Sequence, residues 1–380
     1  MDTYLTDDEL SFRDTIARWV DERLAPRAAE LDNSHDFARD LFEELGSLGY
    51  LGIMYPETCG GTGMDNPYLH YTILCEELAR GCMGFAATVC MHASTATHTI
   101  FKWGNEELRQ RYLLPALQGK MVGAFAITES NAGSDAAAIR TRATKVDGGY
   151  KLNGSKIFTS NAVVADFITV AAKTDLHGGA KSISLFLVDK KTPGFRISRR
   201  LEKFTTHCSD TAELALEDVF IPDSCLLKGG EGGMKAYESL TVDRIFTAAL
   251  ALGAGAAAYR SALRYAQERN QFGQPICKFQ AVQFKLVDML SQLEQVRLFT
   301  YHVARMADRG LSITKEAAMA KITAADGCNE ICQKALNIFG GYGLMMEFPA
   351  QRYLRDSYFP MIGGGTSDIM RLIIGRQLGL

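Results

Sequence analysis

The sequence predicts a mostly helical α+β protein in which a β-rich segment separates two helical ones. Apolar residues recur at three- and four-residue spacing across residues 1–120. Short β-rich runs between turns fill residues 121–230, and long helical patterns return across residues 231–380. The chain has 380 residues, of which 47% are hydrophobic, so it can build two or three packed units, and we expect one domain for each segment.

The two helical segments differ in texture. The first contains "DDELSFRDTIARWVDERLAPRAAELD" and "HYTILCEELARGCMGFAATVCMHASTATHTIFKWG", joined by the turn-rich link "YPETCGGTGMD". The second begins with "SLTVDRIFTAALALGAGAAAYRSALRYAQERNQFG", which is rich in Ala and Gly. Small residues let helices approach closely, so we expect a helical bundle there.

The middle segment reads as consecutive strands. Its stretch "VDGGYKLNG" indicates a hairpin. No helical pattern separates the runs, which favours an antiparallel sheet or barrel over a parallel nucleotide-binding sheet. The sequence has no GxGxxG after a strand and no P-loop, so a nucleotide cofactor would have to bind by other means.

Composition argues against several classes of protein. The formal net charge of −3 does not fit a nucleic-acid surface, and no run approaches the apolar length of a membrane span. The acidic start "MDTYLTDDEL" differs from a signal peptide, and the nine scattered cysteines suit a reducing compartment. We therefore expect a cytoplasmic enzyme. The seven histidines form no HExxH or CxxC-type cluster, so we expect no metal site.

Four stretches combine residues that can hold a ligand. "AFAITESNAGSDAA" and "GSKIFTSNAVVADF" place hydroxyls and an aromatic ring at strand ends. "ERNQFGQPICKFQ" places an arginine after a long helix, and "LNIFGGYGLMMEFPAQRYLRD" permits close backbone approach. Taken one at a time, an ordinary turn, strand end or helix cap explains each of them better.

Taken together, these stretches resemble the FAD-dependent acyl-CoA dehydrogenases. "ITESNAGSDA", "NGSKIFTSN", "RNQFGQPICKFQ", "IFGGYGLMMEFPAQRYLRD" and "GGTSDIM" follow that family's order and spacing over nearly the whole chain. The resemblance implies an N-terminal helical domain, a central β domain and a C-terminal four-helix bundle, usually assembled as a homotetramer. It also implies FAD, an acyl-CoA substrate, and an electron-transfer flavoprotein or similar electron acceptor.

The resemblance also implies a role for each matching residue. Thr128 and Ser160 would contact the flavin ring, and Phe158 would pack on it. The residues implied to reach the FAD of a neighbouring subunit are Arg269, Phe272, Gln280, Asn337, Gly340 and Gly341. Thr366 and Asp368 match a second flavin-side pair, although the family commonly has an amide or Glu at the latter position. Ser134 and Arg244 would contact the CoA portion of the substrate. Met91 lies in a stretch that should line the acyl pocket and could touch the substrate, although a buried core position explains this residue better on its own.

The catalytic base departs from the commonest pattern of the family. That pattern, Tyr-Glu-Gly-Thr, falls on Gly363, Gly364, Gly365 and Thr366, so the expected carboxylate is missing at Gly364. An isovaleryl- and long-chain-type subgroup instead carries a Glu immediately before an Arg, early in the helix after the β domain. Here "LTVDRIF" places Asp243 ahead of Arg244. We therefore predict Asp243 as the base that removes the substrate α-proton.

These departures predict the kind of acyl group. Asp is about 1.3–1.5 Å shorter than Glu, and Gly363 and Gly364 leave out two side chains of the acyl pocket. A short, α-branched or alicyclic thioester, such as cyclohexanecarboxyl-CoA, would fit. Two alternatives use the same scaffold. One is a different enzyme: a dehydrogenase of carrier-protein-bound acyl groups, an enoyl-CoA reductase or a flavin monooxygenase. The other is a non-catalytic FAD-binding partner subunit.

Overall fold

The computed structural model describes residues 4–175, 178–227 and 235–380, and in these ranges helices flank a single large sheet. The expected order of helices, strands and helices is confirmed. The predicted boundary between residues 230 and 231 lies outside the described residues. The N-terminal helices are α1 (Asp7–Trp19), α2 (Ala28–Ser34), α3 (Arg39–Ser47), α4 (Pro67–Met91), α5 (His98–Trp103), α6 (Glu106–Leu108) and α7 (Leu114–Leu117).

A wide helical turn joins α4 to α5. It spans His92–Thr97 and has one more residue in each hydrogen-bonded ring than an α-helix. Such turns redirect side chains within a continuous helix and are frequent at functional sites. All six of its residues are buried. This turn therefore presents polar side chains to the interior of the protein.

The central strands form one curled sheet of seven strands. They are β1 (Gly123–Ala126), β2 (Arg142–Val146), β3 (Gly149–Ser160), β4 (Phe167–Lys173), β5 (Ile183–Asp189), β6 (Phe195–Arg200) and β7 (Thr211–Pro222). The strand order is β1-β4-β2-β3-β7-β6, and β5 pairs with β4. The predicted hairpin is β2–β3, which turns at Asp147 and Gly148.

The sheet is not wholly antiparallel, which corrects one expectation. Four pairings are antiparallel, but β1 pairs with β4 in parallel and β2 meets β4 in parallel at its first residue. Parallel neighbours need a crossover connection, which is usually a helix. Here the β2–β3 hairpin lies between β1 and β4 in the sequence and returns the chain to the same end of the sheet.

The C-terminal region is a helical bundle. A two-residue hairpin, β8 (Asn270–Gln271) with β9 (Gln274–Pro275), separates its first two helices. The helices are α8 (Lys235–Glu268), α9 (Gln280–Asp308), α10 (Thr314–Phe339), α11 (Ala350–Ser357), α12 (Phe359–Ile362) and α13 (Ser367–Gln377). Helix α8 packs along α9 and α10, and α13 packs on α10, which is the arrangement expected of a four-helix bundle.

Helix α8 is the central helix of the molecule. Residues Leu240–Glu268 of α8 are long and apolar enough to cross a membrane, which was not expected from the sequence. However, 83% of the most apolar 18-residue stretch of this segment is buried inside the protein. A core helix passes the same test. Helix α4 can approach α8 closely because residue 253 of α8 is a glycine. A β-carbon at Gly253 would lie 2.2 Å from the Glu76 carbonyl oxygen of α4. The wide turn after α4 is thereby brought against α8.

Candidate active site

Asp243 lies on α8, where α4's wide turn and the glycine-rich turn before α13 meet. The residue is 1% exposed. Its Oδ1 accepts a hydrogen bond of 2.6 Å from the Ser94 hydroxyl, which comes from the wide turn. The same hydroxyl oxygen lies 2.7 Å from the Cys90 carbonyl oxygen. A hydroxyl has one hydrogen, so Ser94 can donate to only one of these acceptors at a time.

The turn Gly363–Gly365 covers the other oxygen of Asp243. Gly364 has a left-handed φ of +67°, and a β-carbon there would lie 3.0 Å from Asp243 Oδ2. The structure thus brings together Gly364, where the usual carboxylate of the family is missing, and Asp243, which the sequence predicts to be the base. Thr366 ends the turn and caps α13, where its hydroxyl accepts from the Ile369 backbone N–H at 3.2 Å.

Burial decides the acidity of Asp243. It raises the pKa of this carboxyl above its ordinary value, against the lowering effects of the Ser94 hydrogen bond and of the Lys321 and Arg244 charges. Lys321 is itself buried, and burial lowers its pKa to about 8. A carboxylate that is costly to keep charged is a stronger proton acceptor than one in water. Asp243 therefore has the environment of a general base.

A second group of predicted residues lies at two strand ends of the sheet. Thr128 follows β1, and its carbonyl oxygen accepts from the Ile157 backbone N–H of β3 at 2.9 Å. A bulge between Lys156 and Thr159 interrupts the β3–β7 register. At this bulge Phe158 has a φ of +55° and its ring is exposed to 64%. Thr128, Phe158 and Ser160 therefore form one local surface with an outward-facing ring.

A buried network under this surface was missed at the sequence level. Glu129 accepts from Lys156 at 2.7 Å, from the Arg140 backbone N–H at 2.6 Å and from the Thr141 backbone N–H at 2.9 Å. Lys156 also donates to the Ile127 carbonyl oxygen at 3.1 Å. The network ties the segment after β1 to β2 and β3. The signal was available, since Lys156 falls on the inward-facing side of β3.

A third group lies at the far end of α10. A cavity of about 560 Å³ is lined by Arg269, Gly340, Gly341 and Tyr342 among others, and the Arg269 guanidinium lies over the Tyr342 ring. Phe272 and Gln280 are exposed beside it, and Asn337 is in the last turn of α10. Because Asn337 lies sixteen residues beyond Lys321, roughly 24 Å along the helix, this group does not meet Asp243 within one chain.

The remaining predicted residues occupy mixed environments. Ser134 is exposed in the loop after β1, and Met91 is half-buried at the end of α4. Arg244 is buried, and its Nε has no hydrogen-bond partner among the described residues. Asp368 points outward with its side chain 93% exposed and pairs with Arg371 of its own helix at 3.3 Å. His92, beside Met91, is a core residue whose Nδ1 accepts from the Gly123 N–H at 3.0 Å.

Comparison with known proteins agrees with this arrangement. The N-terminal, middle and C-terminal domain models of acyl-CoA dehydrogenase match residues 6–120, 124–219 and 230–379. The chain belongs to the acyl-CoA dehydrogenase family. It is an oxidoreductase that acts on acyl-CoA, and the family depends on FAD. Within the described residues, no group of three or more His, Cys, Asp or Glu side chains is arranged to hold a metal ion.

Similar proteins cover the whole chain. Benzylmalonyl-CoA dehydrogenase of Aromatoleum aromaticum is 43% identical over 380 residues, which is 100% of both chains. A chain in the structure described as "Electron transferring flavoprotein of Acidaminococcus fermentans: Towards a mechanism of flavin-based electron bifurcation" superposes with a TM-score of 0.96 and 41% identity, covering 100% and 99% of the two chains. The structure "PigA with FAD and proline" gives a TM-score of 0.95 and 30% identity, with 100% of both chains covered.

The residues of this chain fit FAD. The outward-facing Phe158 ring stands near the end of β3, two residues before Ser160, which suits a flat heterocycle. Gly340 and Gly341 have open space where side chains would stand, and Arg269 provides a cation in the same cavity for a pyrophosphate. The first surface lies at the end of β3 and the second at the C-terminal end of α10.

Proposed function

We propose that this protein is an FAD-dependent acyl-CoA dehydrogenase in which Asp243 removes the α-proton of the thioester. The observation that carries the proposal is the buried Asp243 carboxylate, with its raised pKa, facing the space where Gly364 has no side chain. FAD, when bound, supplies the acceptor for the β-hydrogen, which leaves as hydride. Loss of the α-proton and the β-hydride gives a 2,3-enoyl-CoA.

Ser94 supports both protonation states of the base. When Asp243 is ionised, the Ser94 hydroxyl donates to its Oδ1 and fixes the carboxylate. After Oδ2 has taken up the proton, Oδ1 is the carbonyl oxygen of the acid and can still accept from the Ser94 hydroxyl. Both arrangements use the same atoms at hydrogen-bond distance. The base therefore keeps its position while its charge changes.

The other predicted contacts complete the proposed enzyme. Thr128, Phe158 and Ser160 would hold the flavin ring, with Thr366 and Asp368 nearby. Arg269, Phe272, Gln280, Asn337, Gly340 and Gly341 would reach the FAD of a neighbouring subunit in a homotetramer. Ser134 and Arg244 would bind the CoA portion, and Met91 would line the acyl pocket. The two predicted FAD surfaces of one chain are built from different elements, the end of β3 and the C-terminal end of α10, which suits an assembly in which subunits share each cofactor.

The proposed substrate is a short acyl group that is branched or cyclic near the thioester, in the manner of cyclohexanecarboxyl-CoA. The Gly363–Gly365 turn places no side chain beyond a hydrogen against the base, and Asp243 reaches about 1.3–1.5 Å less far than Glu would. The relative named benzylmalonyl-CoA dehydrogenase supports a bulky acyl group. The proposed electron acceptor is an electron-transfer flavoprotein, and the proposed location is the cytoplasm.

An acyl-CoA panel tests this function. Purified FAD-loaded protein is mixed anaerobically with straight-chain, α-branched, alicyclic and benzyl-substituted acyl-CoAs, and bleaching of the flavin absorbance is followed. We expect the fastest bleaching with branched or cyclic thioesters. A clear preference for long straight chains would contradict the substrate class. Bleaching by no thioester would favour the non-catalytic subunit, and rapid reoxidation of reduced flavin by air would favour the monooxygenase.

A further inference from the structure

Lys321 is a buried cation beside the proposed base, and no role for it follows from the reaction itself. It lies on α10 among Ala317, Ala320 and Ala324 and is 1% exposed. Its ammonium donates to the Gly365 carbonyl oxygen. Its Cε is 3.8 Å from the point that a β-carbon on Gly364 would occupy, and Asp243 Oδ2 is 3.0 Å from the same point.

The charges around Lys321 make Asp243 its main counter-charge. Asp326, on the same helix, already accepts from Arg371 at 2.8 Å and from Ser367 at 2.9 Å. Arg244 is a like charge and disfavours the ammonium. Two further titratable groups, Tyr71 and Cys90, face Asp243, but burial raises the pKa of both well above their ordinary values. Both therefore stay neutral around pH 7.

We propose that Lys321 is a positioning residue for catalysis: its ammonium fixes the Gly363–Gly365 turn through Gly365 and supplies the positive charge that offsets the ionised Asp243. The inference rests on the proposed role of Asp243 as base. Among the described residues, the ammonium donates to the Gly365 carbonyl and the Asp243 carboxylate accepts from Ser94, so the two side chains do not bond each other directly. The ammonium therefore stabilises the charge of the base without occupying the oxygen that must receive the proton.

This separation has a chemical consequence. A lysine bonded directly to the base would make the carboxylate a poor proton acceptor, whereas loss of the cation would leave Asp243 protonated up to a higher pH. Binding to Gly365 keeps the ammonium at an intermediate position. The same hydrogen bond holds the turn that forms one wall of the space beside Asp243.

Two variants separate the charge from the hydrogen bond. Lys321→Gln removes the charge but keeps an N–H donor for Gly365, and Lys321→Met removes both. Lys315→Met is the matched control, because Lys315 lies on the same helix and its side chain is 41% exposed. The FAD-loaded proteins are titrated without substrate by infrared spectroscopy, following the carboxyl band that Asp243→Asn removes. Flavin reduction by the best acyl-CoA is then measured at about pH 6 and about pH 8.

We expect both Lys321 variants to move the midpoint of the Asp243 band to higher pH than in the wild type and the control. We also expect them to slow flavin reduction about tenfold at the lower pH and less at the higher one. An unchanged midpoint in the glutamine variant would overturn the proposal, as would a loss of rate equal at both pH values. The infrared titration needs no turnover, so a failure of the proposed reaction would be seen separately.

Discussion

Two buried carboxylates in this molecule each have a buried lysine nearby, yet their surroundings give them opposite properties. Glu129 of the sheet bonds Lys156 directly at 2.7 Å and receives further bonds from Arg140 and Thr141. Burial alone would raise the pKa of Glu129, but the Lys156 charge and these donors outweigh it and hold the pKa below its ordinary value. This carboxylate is saturated with donors, and it is a structural link between strands.

Asp243 of the bundle receives one strong hydrogen bond, from Ser94, and its lysine is bonded elsewhere. Burial therefore prevails and raises its pKa. Burial lowers the pKa of both lysines to about 8, so the acidity of the lysines does not account for the difference. What differs is whether the lysine bonds the carboxylate directly and how many other donors the carboxylate accepts. A buried carboxyl group that accepts few hydrogen bonds keeps a raised pKa and can act as a general base.

The largest effect should come from removing the charge of Asp243, the carboxylate that accepts few hydrogen bonds. Asp243→Asn should slow flavin reduction by acyl-CoA about 10³-fold or more, because an amide cannot accept the α-proton. Rapid-mixing absorbance spectroscopy gives the rate, and the flavin spectrum reports whether FAD stays bound. Glu129→Gln is the matched control, which should retain a measurable reductive rate wherever it binds FAD. Near-full activity of Asp243→Asn would show that another group is the base.

The saturated carboxylate should matter for stability instead. Glu129→Gln leaves Lys156 buried and unpaired, which we expect to lower the free energy of unfolding by about 3–5 kcal/mol at neutral pH. Because the folded pKa of Glu129 is depressed, its contribution is present above the unfolded pKa and is lost as the pH falls through the folded value. The gap between wild type and variant should therefore narrow in acid. Denaturant unfolding across a pH series measures it, and a gap that widens in acid would contradict this account.

The two positions beside Asp243 allow the base to be moved. Asp243→Ala with Gly364→Glu places a carboxylate on the glycine turn, in the space that the aspartate vacates. We expect flavin reduction about 10- to 100-fold faster than in Asp243→Ala, but slower than wild type, since the left-handed φ of Gly364 strains a side chain. Asp243→Ala with Gly364→Ala controls for the added β-carbon. Equal rates in the two double variants would refute the idea that the positions share one space.

Sequence reasoning could predict the order of the three regions and the residues named by the family motifs. The parallel β1–β4 pair was beyond it, because strand pairing depends on where a hairpin returns the chain. Ser94 was also missed, because only the wide turn after α4 directs its hydroxyl towards α8. Lys321 left a trace in "EAAMAKITAAD", where one lysine stands at helical spacing within alanines that are buried. Which acid it faces required the packing of α10 on α8.

The smallest predicted effect concerns the hydrogen bond that Asp243 accepts from Ser94. Ser94→Ala removes a hydrogen bond that lowers the pKa of Asp243, so this pKa should rise and the carboxylate should be ionised over a narrower range. We expect flavin reduction to fall about tenfold at about pH 6, and by about threefold or less at about pH 8, where a larger fraction of the base is ionised in both proteins. Ser94→Thr keeps the hydroxyl and should follow the wild-type pH profile.

The pH dependence of the Ser94→Ala rate distinguishes two roles of Ser94: orienting the Asp243 carboxylate and lowering its pKa. If Ser94 only orients the carboxylate, Ser94→Ala should lose the same factor at every pH. If the Ser94 hydrogen bond partly offsets the effect of burial on the pKa of Asp243, the loss of rate should shrink as the pH rises. At higher pH the carboxyl is ionised even without this hydrogen bond. A profile of Ser94→Ala parallel to that of the wild type would therefore show that the Ser94 hydroxyl does not tune the acidity of Asp243. The contrast with Glu129 would then rest on the direct Lys156 bond and the backbone donors that Glu129 accepts.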